Sequence, residues 1–432
     1  MQQLVKQSQS LKYSTDTLHK DSMSKYRNLI FSLLSKLEQS AIEVIEGDQH
    51  FVFGDRNSAL SAQIVLHDSS FFKDVVLNGS IGAAEAYIDG KWTSPDLTRV
   101  IQVMAINQAQ LDKIESKVQW FSKIKNKLLS RKNSNTEQGS KRNILAHYDL
   151  GNELYSRFLD PAMQYSCAIY DHKTIALDQT DMLDMAQQRK MQTICERLEV
   201  QASDRVVEIG TGWGGLAIYM AQHYGCHVTT TTISDAQHQY TADLIQQLGL
   251  EDNITLLKSD YRKLTGEYDK LVSIEMIEAV GHEYLATFFD KCSSLLKPNG
   301  KMLVQSITIA DNRYDQYRNS LDFIQKYIFP GGCLPSVAVM TEQIAKNTDL
   351  VVHEMHDIGL HYARTLHDWR IRFENQWNEL LELGYSEEFK RLWIFYLCYC
   401  EGAFLERSIS THHLVARKPR YRGKSDEIVL AY

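Results

Sequence analysis

The sequence has no CxxC pair, no long apolar run and no surplus of positive charge, and each absence removes a class of protein. Seven cysteines in 432 residues is an odd count without framework spacing, which argues against a secreted disulfide scaffold. Cys398 and Cys400 form only a C-x-C inside an aromatic run, where free cysteine is ordinarily core. No stretch reaches the ~18 apolar residues that a membrane span requires. The longest apolar-aromatic run, LWIFYLCYC, is expected to form a buried helix. The N-terminal stretch MQQLVKQSQSLKYSTDTLHK contains no apolar h-region, so no signal peptide is expected and a cytoplasmic location is. With 47 basic against 54 acidic side chains the net charge is −7. Nucleic-acid binders are usually basic, so no nucleic-acid partner is expected. No internal repeat is visible. The His/Asp-rich stretch HDIGLHYARTLHDW lacks the spacing of a metal site, and no metal is expected.

What is present reads as an ordinary globular chain, 44% hydrophobic and 23% charged, long enough for two or three domains of ~100–200 residues. Residues 1–40 are polar, with a short helical pattern around YRNLIFSLLSKL. In residues 41–118, HFVFG and LSAQIVLHDSSFF alternate in strand fashion about the turn GDRNS. SIGAAEAYIDGKW and the helical DLTRVIQVMAINQAQL follow, giving a small α+β domain. Residues 119–143 read as a linker. Its first half sets Trp120, Phe121, Ile124, Leu128 and Leu129 among Lys123, Lys125, Lys127 and Arg131. Such a basic amphipathic segment can lie on an anionic membrane surface; it can equally be a linker helix with a solvated charged face. Residues 144–432 form the largest block. There RVVEI, HVTTTTI, NITLLKS, KLVSIE and KMLVQSITI read as strands separated by helical segments, and LVVHEMHDIG and HHLVARKP as two more. Repeated strand–helix units predict an α/β fold with a parallel, doubly wound sheet.

VVEIGTGWGG lies between the first of these strands and its helix. Its glycines permit a tight turn and a close backbone approach to a ligand. Gly210, Gly212 and Gly215 spell GxGxxG, which would fit a dinucleotide. Two details oppose that. The second strand ends in TTTTIS with no acid for a ribose diol, Asp235 falling inside the next helix. Glu208, just before the glycines, suits a cationic ligand and would repel a pyrophosphate. The E-x-G-x-G-x-G pattern favours S-adenosylmethionine.

The stretch AHYDLGNELYSRFLDPAMQYSCAIY, upstream of that turn, is more specific. Together with EIGTGWGGLAIYMAQHYG, TISDAQ, EMIEAVGHEYLATFF, DFIQKYIFPGGCLPS, HYARTLHDW and GAFLERSI, it resembles the cyclopropane fatty acid synthase family of methyltransferases, which includes the mycolic acid cyclopropane synthases. The likeness spans residues 140–418, and residues 41–115 look like the N-terminal domain of longer bacterial members. The resemblance implies a class I methyltransferase fold with helical insertions forming an acyl tunnel. It implies that the methyl of S-adenosylmethionine goes to a cis double bond in an unsaturated phospholipid acyl chain. The resulting carbocation loses a proton to a bound bicarbonate, and a cyclopropane ring closes. It also implies transient contact with the inner face of the membrane and often a homodimer.

On the resemblance, Cys167, Glu278, Ile307 and Tyr362 surround the bicarbonate. Gln305 stands where many bacterial members have histidine; it can donate a hydrogen bond but cannot titrate. That departure leaves a methyl-branched or methylene product open beside the ring. Tyr165, Ser166, Gly210, Gly212, Thr232, Gln237, Asp260 and Tyr261 match cofactor positions, with Glu208 added from its pattern. Tyr165, Tyr170 and Tyr327 could stabilise positive charge through their rings. Each residue also has a plainer reading. Cys167 could be a small core residue, Glu278 a helix cap, Tyr362 ordinary packing, and His147 a satisfied structural histidine. Two other functions compete, a small-molecule N-methyltransferase and a lipid-binding module with an inactive cofactor site. Intact Glu208, Gly210 and Gly212 count against the second.

Overall fold

A computed structural model describes residues 24–108, 151–171 and 181–423. The segment Trp120–Arg131 and His147 lie outside the described residues. The chain divides into two compact units. One comprises residues 1–125 with 385–406, the other residues 126–384 with 407–432.

The first unit holds a four-stranded sheet of order β2-β1-β3-β4. Its strands are β1 (Ala41–Glu46), β2 (Gln49–Gly54), β3 (Ser61–Leu66) and β4 (Trp92–Thr93). Gly47, at φ 58°, turns β1 back onto β2 as a hairpin, a conformation that glycine adopts without penalty. β3 then pairs parallel to β1. The expected strand through LSAQIVLHDSSFF stops at Leu66, and Phe71 and Phe72 belong instead to the helix Ser70–Ile88. Both rings are buried, and Phe72 meets Phe31 edge-on at 5.8 Å, so their contribution is to the core. The LWIFYLCYC run lies in the helix Glu387–Leu405, with Trp393, Phe395, Leu397 and Cys398 buried. This helix groups with the N-terminal residues, not with the segments on either side of it. Gly402 makes that possible, because a Cβ there would meet the Ile101 side chain at 2.8 Å.

The second unit is built on a seven-stranded sheet. All seven strands expected from the sequence are present: β5 (Arg205–Ile209), β6 (His227–Thr232), β7 (Ile254–Lys258), β8 (Tyr268–Ile274), β9 (Leu296–Ile309), β10 (Val351–Asp357) and β11 (Ile409–Arg417). Their order is β10-β11-β9-β8-β5-β6-β7. β5 to β9 run parallel, whereas β11 is antiparallel to both β9 and β10. The expected parallel sheet is therefore corrected at one strand, β11, which runs opposite to the other six. Central strands carry apolar side chains on both faces, as burial under helices on each side requires. Val206, Val272, Leu303 and Val415 pack with Ile194, Leu198 and Leu216 on one face. Val207, Leu271, Met302 and Leu414 pack with Leu285, Phe288 and Phe289 on the other. Among the described residues no helix is long and apolar enough to cross a membrane.

Candidate active site

The carboxyl edge of the parallel strands collects the residues singled out in the sequence. At the end of β5, Gly210 and Gly212 adopt φ of 101° and 54°, a region that side chains disfavour. A Cβ on Gly212 would meet no atom within 4 Å, so this part of the turn faces open space. Gly215 is needed for a different reason. A Cβ there would fall on the Ala162 carbonyl oxygen and the Gln164 amide, so the loop before Tyr165 rests directly on the first turn of the helix Gly215–Tyr224.

At the end of β6, the Thr232 hydroxyl donates to Gln237 Oε1 at 3.0 Å, and Ser234 caps the helix that carries Gln237. After β7, burial pushes the Asp260 carboxyl up. Hydrogen bonds from the Arg262 guanidinium and main-chain N–H outweigh it and hold Asp260 below its usual range. Tyr261 packs its ring edge-on against Phe288. Glu208 is buried and accepts from the Thr230 hydroxyl at 2.6 Å; burial pushes its pKa up to about 8. Ser166 accepts at 2.8 Å from the ammonium of Lys190, a fully buried lysine that also donates to Gln164 Oε1. Burial lowers the Lys190 pKa to about 8.

The second cluster lies beyond β8 and β9, and its centre is a residue that the sequence reading left without a role. Glu275 follows β8 directly, and its carboxylate has three donors. The Cys167 main-chain N–H reaches Oε1 at 2.9 Å, and Gln305 Nε2 reaches the same oxygen at 2.7 Å. The Tyr362 hydroxyl donates to Oε2 at 2.6 Å. Cys167 thus acts through its backbone. Its thiol is fully buried and faces the Ala168 and Ile358 carbonyls. Burial, reinforced by the Glu275 charge, holds that thiol well above its usual range, so it is not a nucleophile.

Glu278, three residues on, accepts the Ile307 N–H at 2.5 Å and the Ser306 hydroxyl at 3.2 Å through Oε1. Its Oε2 is buried without a partner. Burial first, and then the neighbouring Glu275 charge, push the Glu278 pKa up to about 8. Burial also raises Glu275, against the pull of its donors.

Gln305 is oriented from behind. β11 places His413 opposite it, with His413 Nε2 2.7 Å from Gln305 Oε1. Arg197 NH1 lies 2.5 Å from His413 Nδ1. A guanidinium only donates, so Nδ1 is the acceptor and Nε2 carries the proton. The chain Arg197–His413–Gln305 therefore turns the Gln305 amide N–H toward Glu275. Burial, with Arg197 adding to it, keeps His413 neutral by lowering its pKa well below the usual value.

The MQYSCAIY run is fastened to the helix Gly359–Asn375. Ala168 N–H donates to Thr365 Oγ1 at 3.1 Å, Tyr170 N–H to His361 at 3.1 Å, and the Tyr170 hydroxyl to Asp368 at 3.0 Å. Tyr165 stands in an aromatic wall, 5.1 Å from Trp369 and 6.4 Å from Phe329, and Trp369 in turn meets Tyr362 at 6.0 Å. The wall therefore runs up to the Glu275 carboxylate. Among the described residues no group of three His, Cys, Asp or Glu side chains could hold a metal ion. Glu275, His413, Arg197 and Lys190 are the members that sequence reasoning missed. The one signal was Gln305 itself, since an amide in place of a histidine needs a neighbour to fix its orientation.

A doubly wound sheet whose first crossover turn opens onto free space, with threonine and glutamine rather than an acid after the second strand, is that of a class I S-adenosylmethionine-dependent methyltransferase and not of a dinucleotide enzyme. The profile of the mycolic acid cyclopropane synthetase family matches residues 135–414, and the chain belongs to that family. It is 37% identical to the cyclopropane-fatty-acyl-phospholipid synthase of Escherichia coli K12, over 83% of this chain and 88% of that one. It is 36% identical to the tuberculostearic acid methyltransferase UfaA1 of Mycobacterium tuberculosis, over 76% of each. Among solved structures, the cyclopropane synthase MmaA2 of Mycobacterium tuberculosis superposes with a TM-score of 0.59 at 26% identity, covering 64% of this chain and 98% of that one. Mycolic acid cyclopropane synthase CmaA1, complexed with SAH and CTAB, gives 0.58 at 28% identity, with the same coverage.

Proposed function

We propose that this enzyme converts the cis double bond of an unsaturated phospholipid acyl chain into a cyclopropane ring, using S-adenosylmethionine. The observation that carries this reading is the convergence of Cys167, Gln305 and Tyr362 on one half-buried carboxylate, Glu275, flanked by a second, Glu278, and by the aromatic wall of Tyr165, Trp369 and Tyr362. Bound at the glycine turn, the cofactor supplies an electrophilic methyl group to the alkene. Gly210, Gly212, Thr232 and Gln237 seat it, with Tyr165, Ser166, Asp260 and Tyr261 at its margins. The sulfonium charge, once bound, favours the ionised form of buried Glu208 against the burial that raises its pKa. The rings of Tyr165 and Trp369 stabilise the carbocation by ~0.5–2 kcal/mol each and keep out water, which would trap it as an alcohol. Tyr170 acts at one remove, its hydroxyl being held by Asp368.

Bicarbonate, the base implied by the resemblance, does not fit this site. The Cys167, Gln305 and Tyr362 donors are engaged by Glu275, and the Ile307 N–H by Glu278. A further anion would meet the Glu275 carboxylate and find none of these donors free.

Phospholipid acyl chains are reached from a bilayer surface, so the enzyme works as a peripheral protein on the cytoplasmic face, with Trp120–Arg131 as its basic contact. The two curated relatives are nearly equal in identity, and one is named for a cyclopropane product while the other is named simply a methyltransferase. A methyl-branched or methylene product is the second reading. Incubation with S-adenosylmethionine and vesicles of a dioleoyl phospholipid tests both. Mass spectrometry should show a gain of CH₂ on the acyl chains, and gas chromatography of the released chains should show the ring. No gain on any unsaturated chain would refute the proposal.

A further inference from the structure

Bicarbonate fails to fit because something else already occupies its place. We infer that the Glu275 carboxylate is the resident anion of this site and takes the proton as the ring closes. The inference rests on the methylene-transfer reading.

Four observations support it independently of that reading's sequence origin. The first is occupancy: the three groups expected to donate to a bound anion all donate to Glu275, at 2.6–2.9 Å. The second is capacity. A carboxylate offers about four lone-pair sites; two donors sit on Oε1 and one on Oε2, which leaves one site on Oε2 for an incoming proton. The third is backbone conformation. Glu275 has φ of 48°, where a non-glycine residue is held at a cost of ~1–3 kcal/mol. That strain places a side chain at the carboxyl end of β8, where a glycine would fit without it. The fourth is that the donors are themselves fixed, Gln305 by His413 and Arg197, and the Cys167 N–H by the contacts of Cys167 and Ala168 with Ile358 and Thr365.

The step balances. The alkene electron pair forms the new carbon–carbon bond as the carbon–sulfur bond breaks, and its electrons leave with S-adenosylhomocysteine. One C–H bond of the transferred methyl then breaks. Its electrons close the ring onto the cationic carbon, and the proton goes to Glu275 Oε2, to be released to solvent after the product leaves. The methyl carbon stands 1,3 to the cationic carbon, and its C–H electrons are drawn toward that carbon as the ring begins to close, so a weak base held by three donors suffices. Glu275 is the ionised member of the pair because it has those donors. Glu278 has an oxygen with none and is the protonated member, so the site carries a single negative charge opposite the developing positive one.

The test compares wild-type enzyme with Glu275→Gln and Glu275→Gly in buffer freed of carbon dioxide and in the same buffer with added bicarbonate. Calorimetric titration with S-adenosylhomocysteine checks that each variant is folded. The expected result is wild-type turnover indifferent to bicarbonate, and loss of at least about 100-fold in Glu275→Gln, the range of a general base. Glu275→Gly relieves the strained backbone and vacates the carboxylate's place, so added bicarbonate should restore its turnover. In parallel, ¹³C-bicarbonate binding by NMR should appear in Glu275→Gly and not in the wild type. Wild-type turnover that rises with bicarbonate, full turnover in Glu275→Gln, or bicarbonate bound by the wild type would overturn the inference. Should the wild type make no lipid product at all, the methylene-transfer reading fails, and the NMR comparison still decides whether Glu275 fills the anion site.

Discussion

Glu278 shows most directly how a single side chain in this site couples chemistry to stability. It sits half-buried in a short turn of 3-10 helix (Ile277–Ala279), with one oxygen bonded and the other buried without a partner. Its folded pKa is about 8 against an ordinary 4.5, raised by burial and then by Glu275. A carboxyl raised on folding contributes stability that is present below about 4.5 and lost as pH climbs to about 8. Glu278→Gln keeps an oxygen for the Ile307 N–H and removes the titration. Relative to wild type, the variant should therefore gain stability as pH rises across that window, by a few kcal/mol on the order set by ~1.4 kcal/mol per pKa unit. Denaturation midpoints measured at several pH values check this; a constant difference between the two proteins would contradict it. At this scale the sequence was informative in part. Cys167, Gln305, Ile307 and Tyr362 do reach the two half-buried carboxylates of Glu275 and Glu278. Glu275 was not visible, because a glutamate after a strand looks like any polar loop residue until its positive φ and its three donors are seen. His413 was hidden within an alternating strand pattern for the same reason.

The elements carry a different kind of information. β-branched runs such as RVVEI and HVTTTT become the central strands because both faces are covered, and such runs were legible. The antiparallel return of β11 was not, because three helices, Gly359–Asn375, Trp377–Glu382 and Glu387–Leu405, intervene between β10 and β11 and no local pattern records direction across them. The glycine turn separates two roles that sequence alone merges. Gly215→Ala would drive a methyl into the backbone of the loop at Ala162, so it should lower stability by ~1–3 kcal/mol, as overpacking does, and weaken S-adenosylhomocysteine binding as Tyr165 and Ser166 shift. Gly212→Ala points into open space. It should cost only the ~1–2 kcal/mol of its left-handed backbone while still weakening the cofactor. Paired measurements of denaturant midpoint and calorimetric affinity separate the two, and equal packing penalties would contradict the assignment.

At the scale of the whole molecule, the proposed phospholipid substrate would require a chain with an excess of acidic side chains to approach a bilayer surface. The basic amphipathic stretch Trp120–Arg131 concentrates Lys123, Lys125, Lys127 and Arg131 in a chain of net charge −7. Changing all four to glutamine should weaken sedimentation with anionic vesicles, at ~1 kcal/mol for each basic residue near the surface, and leave affinity for S-adenosylhomocysteine unaltered. Unchanged vesicle binding would remove that segment from the account. The claim on which everything else depends is that a proton leaves the transferred methyl group. The most direct measurement uses S-adenosylmethionine carrying a trideuterated methyl, with dioleoyl phospholipid vesicles, and counts the deuterium in the product acyl chains by mass spectrometry. The account predicts that the new carbon retains two deuterium atoms and has lost the third. Retention of all three, or label that never enters the acyl chain, would contradict it.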